Sequence, residues 1–328
     1  MTILSVRDLR VGFGLGSARR DAVDGVSFDV DEGEFFLVIG ESGSGKSLTG
    51  SAIVGLNPAG AVVSGSVRFK DQEMVGQPER ALRRVRGRDI GIVYQNPLSS
   101  MNPVWPIGDQ IAETLWVHGL ADRRRAATRA VELLERVHIP DPGRVAQAFP
   151  HEISGGMRQR AVIAMALACD PALLIADEPT TALDVTIKAQ VLDLLQELRR
   201  DLKLSVMLIT HDMGVVAHLA DRVLVMYAGR VVEVGPVEHI LSRPAHPYTE
   251  ALMLSGGLSE APFKSPLRTI PGHAPPIDAR PQGCNFNPRC PKAQGDCRVH
   301  TPELRVIRGT LAACHHPLDL PSAAGVAA

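Results

Sequence analysis

Short unbroken apolar runs, set between glycines and polar turns, dominate this chain. Glu34 to Gly40 (EFFLVIG) reads as a buried strand, and Ser47 to Leu56 (SLTGSAIVGL) as a helix that stops before Asn57-Pro58. GIVY, ending at Tyr94, and the runs Ala172 to Ala176, Ser205 to Thr210 and Arg222 to Tyr227 read as further strands, with a hairpin around Ala228-Gly229. The part up to about Gly40 is strand-rich, whereas the stretch from about Pro97 to Ala168 carries helical patterns. Strands alternating with helices predict an α/β fold. The longest apolar run, Ala161 to Cys169, stops at Asp170-Pro171, short of the roughly 18 residues of a membrane-spanning helix. The N-terminus shows no charged-then-apolar leader, so a cytosolic protein is expected. No internal repeat is apparent.

Chemistry enters between the first two elements. GESGSGKS (Gly40 to Ser47) fits GxxxxGK[ST], and its position between a strand and a helix is the setting a phosphate needs. Glycines let successive N–H groups turn inward, and the helix N-terminus adds positive potential. Lys46 reaches β- and γ-phosphates, and Ser47 ligates magnesium. A second candidate follows the strand Ala172 to Ala176, where Asp177 and Glu178 fall at the C-terminal end, the edge at which open α/β sheets place ligands. Asp177 is suited to hold magnesium through water, and Glu178 to polarise an attacking water as general base.

ISGGMRQR (Ile153 to Arg160) narrows the reading. It resembles the signature motif of the ATP-binding-cassette (ABC) proteins, with Ser154, Gly155 and Gly156 opening an amphipathic helix. The resemblance implies a P-loop ABC cassette with a RecA-like core, an N-terminal antiparallel β subdomain and a helical subdomain at about 97–168. It also implies that ATP lies on Gly40, Glu41, Ser42, Gly43, Ser44, Gly45, Lys46, Ser47 and Leu48, while the Ser154 cradle closes on the γ-phosphate of an ATP held by another subunit. Met157 stands where the family most often has glutamine. Gln95 resembles the residue that ties γ-phosphate and magnesium to a membrane partner. Asp184, in TALD (Thr181 to Asp184), resembles the loop crossing the dimer interface. His211 resembles the switch histidine of the γ-phosphate. Phe13 is the candidate aromatic platform for adenine, or a core aromatic of the first strand.

Composition changes the picture mainly at the C-terminal end. The net charge of −1 argues against a nucleic-acid partner, and the basic runs Ala81 to Arg88 and Asp122 to Arg129 read as solvated helix faces. From Pro244 onward lie 13 of the 24 prolines and four of the five cysteines. Such a segment cannot easily build its own core. HPYTEAL (His246 to Leu252), IPGHAPPI (Ile270 to Ile277) and GCNFNPRCP (Gly283 to Pro291) resemble the C-terminal extension of the oligopeptide and dipeptide importer ATPases. A cassette over residues 1–241 and an extension over 242–328 are therefore expected. In a reducing cytosol Cys284, Cys290, Cys297 and Cys314 are metal ligands rather than disulfides, although they lack CxxC knuckles. The resemblance points to a [4Fe-4S] cluster, with zinc or no metal as alternatives and His300, His315 and His316 as substitutes. Cys169, on an apolar helix face, is expected to pack in the core.

Taken together, the resemblance implies the ATP-hydrolysing subunit of a di- or oligopeptide importer at the cytoplasmic face of the inner membrane. Its implied partners are a similar but non-identical second ATP-binding subunit, two transmembrane permease subunits and, indirectly, an extracytoplasmic solute-binding protein. Import of another solute such as nickel, or a soluble cassette ATPase acting on DNA or ribosomes, is the alternative. The tail is otherwise a redox or iron sensor that regulates the cassette.

Overall fold

Every residue of Phe35–Ile39 is buried, as an uninterrupted apolar run demands of a strand covered on both faces. The computed structural model describes residues 1–14, 16, 19–181, 183–255 and 269–318. Parts of the expected extension (256–268 and 319–328) and Ala182 of the TALD stretch lie outside the described residues. Along the chain the elements are β1 (Thr2–Phe13), β2 (Arg20–Asp31), β3 (Phe35–Ile39), α1 (Lys46–Ile53), β4 (Ala61–Phe69), β5 (Gln72–Glu73), α2 (Glu79–Val85) and β6 (Ile90–Val93). Then come α3 (Pro97–Ser100), α4 (Ile107–Val117), α5 (Arg123–Arg136), α6 (Pro142–Gln147), α7 (Gly155–Ala166), β7 (Leu173–Asp177), α8 (Val185–Leu202) and β8 (Ser205–Thr210). The remainder is α9 (Met213–Leu219), β9 (Arg222–Tyr227), β10 (Arg230–Pro236), α10 (Val237–Ser242), α11 (Pro247–Ser255), β11 (Arg305–Ile307) and β12 (Thr310–Ala312).

These elements divide into two compact units. The first comprises Met1–Leu4, Asp29–Phe35 and Arg68–Ile209. Its sheet is parallel, with Ile90 opposite Leu173 and Leu173 opposite Ser205. The shared direction puts the C-terminal ends of β6 and β7 on one edge, which is what brings Gln95 and Glu178 together. α7 packs closely on β6 because Gly91 has no side chain: a Cβ there would lie 2.4 Å from the Ala166 carbonyl oxygen. α8 buries Val191, Leu194, Leu195 and Leu198, an i, i+3, i+4, i+7 stripe flanked by Leu192, in which each residue contributes about 1.5–3 kcal/mol by leaving water. The helix ends at Lys203, whose φ of 52° breaks the right-handed spiral. The helical patterns between Pro97 and Ala168 are realised as α3 to α7.

The second unit comprises Ser5–Phe28, Phe36–Val67 and Thr210–Ala328. Here β3 pairs in parallel with β9, and β9 turns at Ala228-Gly229 into antiparallel β10, with Arg230 opposite Tyr227. α1 starts one residue earlier than its apolar pattern suggests and ends at Ile53, before Gly55 takes a φ of 67°. The C-terminal segment is held by three devices. β12 extends the sheet beside β10, with Glu233 opposite Ala312. Phe286 packs against Tyr227 and Tyr248, with ring centroids 5.2 and 5.3 Å away, so the segment borrows a core it cannot make alone. The third is the wholly buried Glu233 carboxylate, which accepts hydrogen bonds from the Ala245 (2.8 Å) and His246 (3.0 Å) amides and from the Thr310 hydroxyl (3.2 Å). Burial pushes this carboxyl above its ordinary range, and the hydrogen bonds offset part of that shift.

Glu233→Ala leaves the Ala245 and His246 amides without their acceptor inside the protein, while the Thr310 hydroxyl keeps the Ile307 carbonyl at 3.0 Å. Urea denaturation should show a loss of about 3 kcal/mol.

Candidate phosphate-binding and acidic sites

The chain leaves β3 through Gly40, whose φ is 151° and whose place no other residue can take: a Cβ would lie 2.2 Å from the Met226 carbonyl oxygen. Gly43 and Gly45 also have positive φ, and Gly45 is the N-cap of α1. Beneath the curl, the Lys46 ammonium donates to the carbonyls of Gly40 (2.8 Å) and Glu41 (3.0 Å). The Ser44 hydroxyl is buried with no hydrogen-bond partner among the described residues. Ser42, Gly43 and Ser47 are exposed along the rim, and Leu48 is half-buried in the first turn of α1. An open glycine rim, a folded-back cation, an orphaned hydroxyl and a helix N-terminus suit a bound polyphosphate. Phe13, half-buried at the end of β1, and His211, exposed directly after β8, belong to this same unit.

Two partners of the loop were not legible in its motif. Arg289 grips the Glu41 carboxylate through both terminal nitrogens, at 2.6 and 3.0 Å. The Tyr248 hydroxyl accepts a hydrogen bond from the Glu41 amide at 2.9 Å. An arginine flanked by proline and cysteine carries no sequence signal of its own, since the contact spans 248 positions.

In the other unit, β7 ends on half-buried Asp177, and Glu178 follows with a φ of 46°, a left-handed conformation that costs a non-glycine residue about 1–2 kcal/mol. The Glu178 amide donates to Ile209 at 2.9 Å, anchoring the bend. Its carboxylate accepts from the Gln95 amide at 3.0 Å and from the Thr181 hydroxyl at 2.8 Å. The strained turn thus presents an aimed acceptor beside Gln95. Asp184 caps α8, accepting from the Ile187 amide at 2.9 Å.

Ser154 caps α7 through the Met157 amide at 3.3 Å. Its hydroxyl therefore has a role inside the chain as well as the one the signature implies. The two glycines differ. A Cβ on Gly156 would meet Ile187 at 2.7 Å, so this glycine lets α7 approach α8. Gly155 is exposed, and an added Cβ there would meet only Leu183, at 4.0 Å. Packing thus explains Gly156, whereas Gly155 remains the position that a ligand would require.

The four extension cysteines line one pocket with His246, Phe286, His315 and His316. Cys297 and Cys314 are buried, Cys284 and Cys290 half-buried. Burial first, and the neighbouring thiols second, raise the pKa of Cys314 to about 12; burial likewise leads the upward shifts of Cys284 and Cys290. Clustered cysteine ligands bind as thiolates around a positively charged centre, so the donor set suits a metal. The free volume they enclose is about 10 Å³. Among the described residues, the one set of three donor atoms within 4.8 Å of one another is Asp296, Cys297 and His316. His316 pairs with Asp296 at 2.8 Å and holds its carboxyl below the ordinary range. His315 contacts the His300 carbonyl at 2.9 Å. Cys169 is half-buried rather than wholly in the core; it lies 3.7 Å from the Thr114 carbonyl, and burial raises its pKa to about 11.

Comparison with known proteins agrees with this arrangement. Residues 23–181 match the family described as "ABC transporter", and residues 232–297 match "Oligopeptide/dipeptide transporter, C-terminal region". A "Putative peptide import ATP-binding protein" of Brucella melitensis is 48% identical over 317 residues, 93% of this chain and 94% of that protein. The "Dipeptide transport ATP-binding protein DppD" of Escherichia coli is 45% identical over 322 residues, covering 97% of this chain and 98% of its own. Among solved structures, the dimeric ATP-binding cassette MJ0796 bound to ADP and Pi superposes with a TM-score of 0.64 at 27% identity, covering 71% of this chain and 98% of that one. CbiO1 of Clostridium perfringens, part of the cbiONQ transporter complex, gives 0.62 at 26% identity, covering 74% and 91%. The chain belongs to the ABC transporter ATPases, in the branch that carries the oligopeptide/dipeptide transporter C-terminal region. It is an ATPase, with ATP as substrate and Mg²⁺ as the accompanying metal.

Gly40→Ala puts a methyl group against the Met226 carbonyl in a conformation that alanine resists. Fluorescent ATP should bind at least about tenfold more weakly, a penalty of about 1.4 kcal/mol.

Proposed function

We propose that this chain is the ATP-hydrolysing subunit of an importer for di- or oligopeptides. The observation that carries the reading is the likeness to the dipeptide transport protein DppD, which runs through both the cassette and the cysteine-bearing extension. A cassette over residues 1–241 supplies the engine, and residues 242–328 form an extension fastened to it. No helix among the described residues is long and apolar enough to cross a membrane. In this reading permease subunits provide the passage and the chain attaches to them peripherally, at the cytoplasmic face of the inner membrane. Tyr94, Val104 and Trp105 expose apolar surface next to Gln95 or in the α3–α4 connection, which supports docking of a permease there.

Gly40 to Leu48 bind the triphosphate and Phe13 stacks on the adenine. Lys46 leaves its loop carbonyls for the phosphates. Asp177, Ser47 and Gln95 hold Mg²⁺, which when bound neutralises charge on the phosphate oxygens. Glu178 polarises the attacking water, its carboxylate already oriented by Gln95 and Thr181. His211 contacts the γ-phosphate. Ser154 and Gly155 complete the site of a second, non-identical cassette, and Asp184 lies at the interface between the two; the dimeric MJ0796 cassette supports the pairing of two cassettes, though not their non-identity. Closure of the pair on ATP drives the permeases, and hydrolysis reopens it.

Cys284, Cys290, Cys297 and Cys314 hold a [4Fe-4S] cluster. Two sulfurs bound to one zinc ion at about 2.3 Å lie no farther than about 4.6 Å apart. Among the described residues no three of these sulfurs lie within 4.8 Å of one another. Loading the cluster requires the small pocket to widen. The cluster supplies positive charge to four thiolates and so cross-links the extension.

A tag on this chain should bring down two permease subunits and a second cassette; recovery with ribosomes or DNA instead would contradict import. In that complex Glu178→Gln should lower hydrolysis at least about 100-fold while ATP stays bound. Unchanged turnover would remove Glu178 from the mechanism.

Anaerobic purification should return about four iron and four sulfide per chain. One zinc without sulfide would replace the cluster by a mononuclear site.

A further inference from the structure

Glu41 places a carboxylate at the second position of a loop whose ligand is a polyanion. Left free, its charge opposes binding of the phosphates, because like charges close together near a protein surface repel. Arg289 removes that conflict. Its five N–H donors are all engaged: two reach the Glu41 carboxylate at 2.6 and 3.0 Å, one the Tyr227 hydroxyl at 3.2 Å, and the others the carbonyls of Pro271 (2.8 Å) and Ile270 (3.3 Å). The Arg289 side chain is 6% exposed and that of Glu41 28%, so this fork-to-fork pair is part-buried rather than a fully exposed surface ion pair.

The position of Arg289 is set by the cysteine segment. Its amide closes a turn on Phe286 at 3.0 Å, and the same turn is fixed by Asn287 donating to Cys284 (3.0 Å) and Cys284 donating to Cys297 (2.9 Å). The Asn285 side chain then pins the turn to Ala228 at 3.0 Å. The next residue, Gly229, donates its amide to the Ser44 carbonyl at 2.9 Å. Tyr248 holds the amide of Glu41 itself. Three groups outside the loop thus converge on its first half, and one of them lies next to Cys290.

We propose that Arg289 is a positioning residue for the phosphate loop: it neutralises Glu41 and turns its carboxylate away from the phosphates, so that nucleotide affinity at this site depends on the folded cysteine segment. The inference rests on Gly40 to Leu48 being the ATP site, and it deepens that reading by making the extension part of the nucleotide-binding apparatus. The pair is not an inert staple, since it engages the carboxylate of a residue within the phosphate loop itself.

The test is a double-mutant cycle on the full chain in its transporter complex, measuring KM and kcat for MgATP, fluorescent-ATP affinity and melting temperature. Arg289→Gln should raise KM about tenfold with kcat changed less than about threefold, and Arg289→Gln with Glu41→Gln should return KM to within about threefold of the starting protein. Arg289→Lys, which keeps the charge and serves if the glutamine variant folds poorly, should fall between. An unaltered KM in both single variants overturns the proposal. A raised KM that Glu41→Gln does not rescue also overturns it, because Arg289 would then act through packing alone. Lys46→Ala separates the two claims: retained nucleotide binding there overturns the loop assignment and Arg289's role with it. Lost binding there, with unaltered binding in Arg289→Gln, overturns the role of Arg289 alone.

Discussion

A lysine ammonium drawn in beneath two carbonyls of its own loop is the interaction on which the nucleotide site depends. Lys46 reaches Gly40 and Glu41 across a loop in which Gly40, Gly43 and Gly45 take positive-φ backbone angles that favour glycine. The same curl points loop atoms outward and leaves the Ser44 hydroxyl unmatched. Strand β3, wholly buried, makes the loop's starting point rigid, and helix α1 gives its far end a dipole. In the proposed site, a triphosphate would complete contacts that the protein has only half made.

The acidic edge follows a similar economy by different means. Parallel register between β6 and β7 carries Gln95 and Glu178 to one side of the sheet, and the left-handed φ at Glu178 turns its carboxylate toward Gln95 and Thr181. Strain at such a point persists only where surrounding bonds over-determine it, and the Glu178 amide bonded to Ile209 is one of them. Ser154 and Gly155, by contrast, are only partly accounted for by contacts within the chain. The cap and the close packing of Gly156 explain two of the three signature positions; the exposed glycine faces outward. That asymmetry suits a half-site finished by another polypeptide.

Much of this was legible in the sequence because short-range chemistry writes itself into spacing. Arg222 to Tyr227 and Ser205 to Thr210 were recognisable as strands from apolar runs alone, and both have those bounds. The start of α1 at Lys46 was not, since a glycine N-cap can open a helix on a polar residue. What remained hidden is long-range. Nothing in GCNFNPRCP announces that its arginine reaches Glu41, and nothing around Glu233 announces that a carboxylate would organise the return of the chain at Ala245 and His246. Asp296 acquires meaning only once His316 folds beside it. Such contacts depend on topology, and one residue's type does not encode its distant partner.

The central claim is that gripping ATP and joining a second cassette are one event. A structure of the transporter carrying Glu178→Gln, trapped with MgATP, tests it most directly. The account predicts a triphosphate on Gly40 to Leu48 of this chain, covered by the partner's signature helix, with Ser154 of this chain against the γ-phosphate of the partner's nucleotide. A nucleotide enclosed by this polypeptide alone, with Ser154 remote from any γ-phosphate, would contradict it.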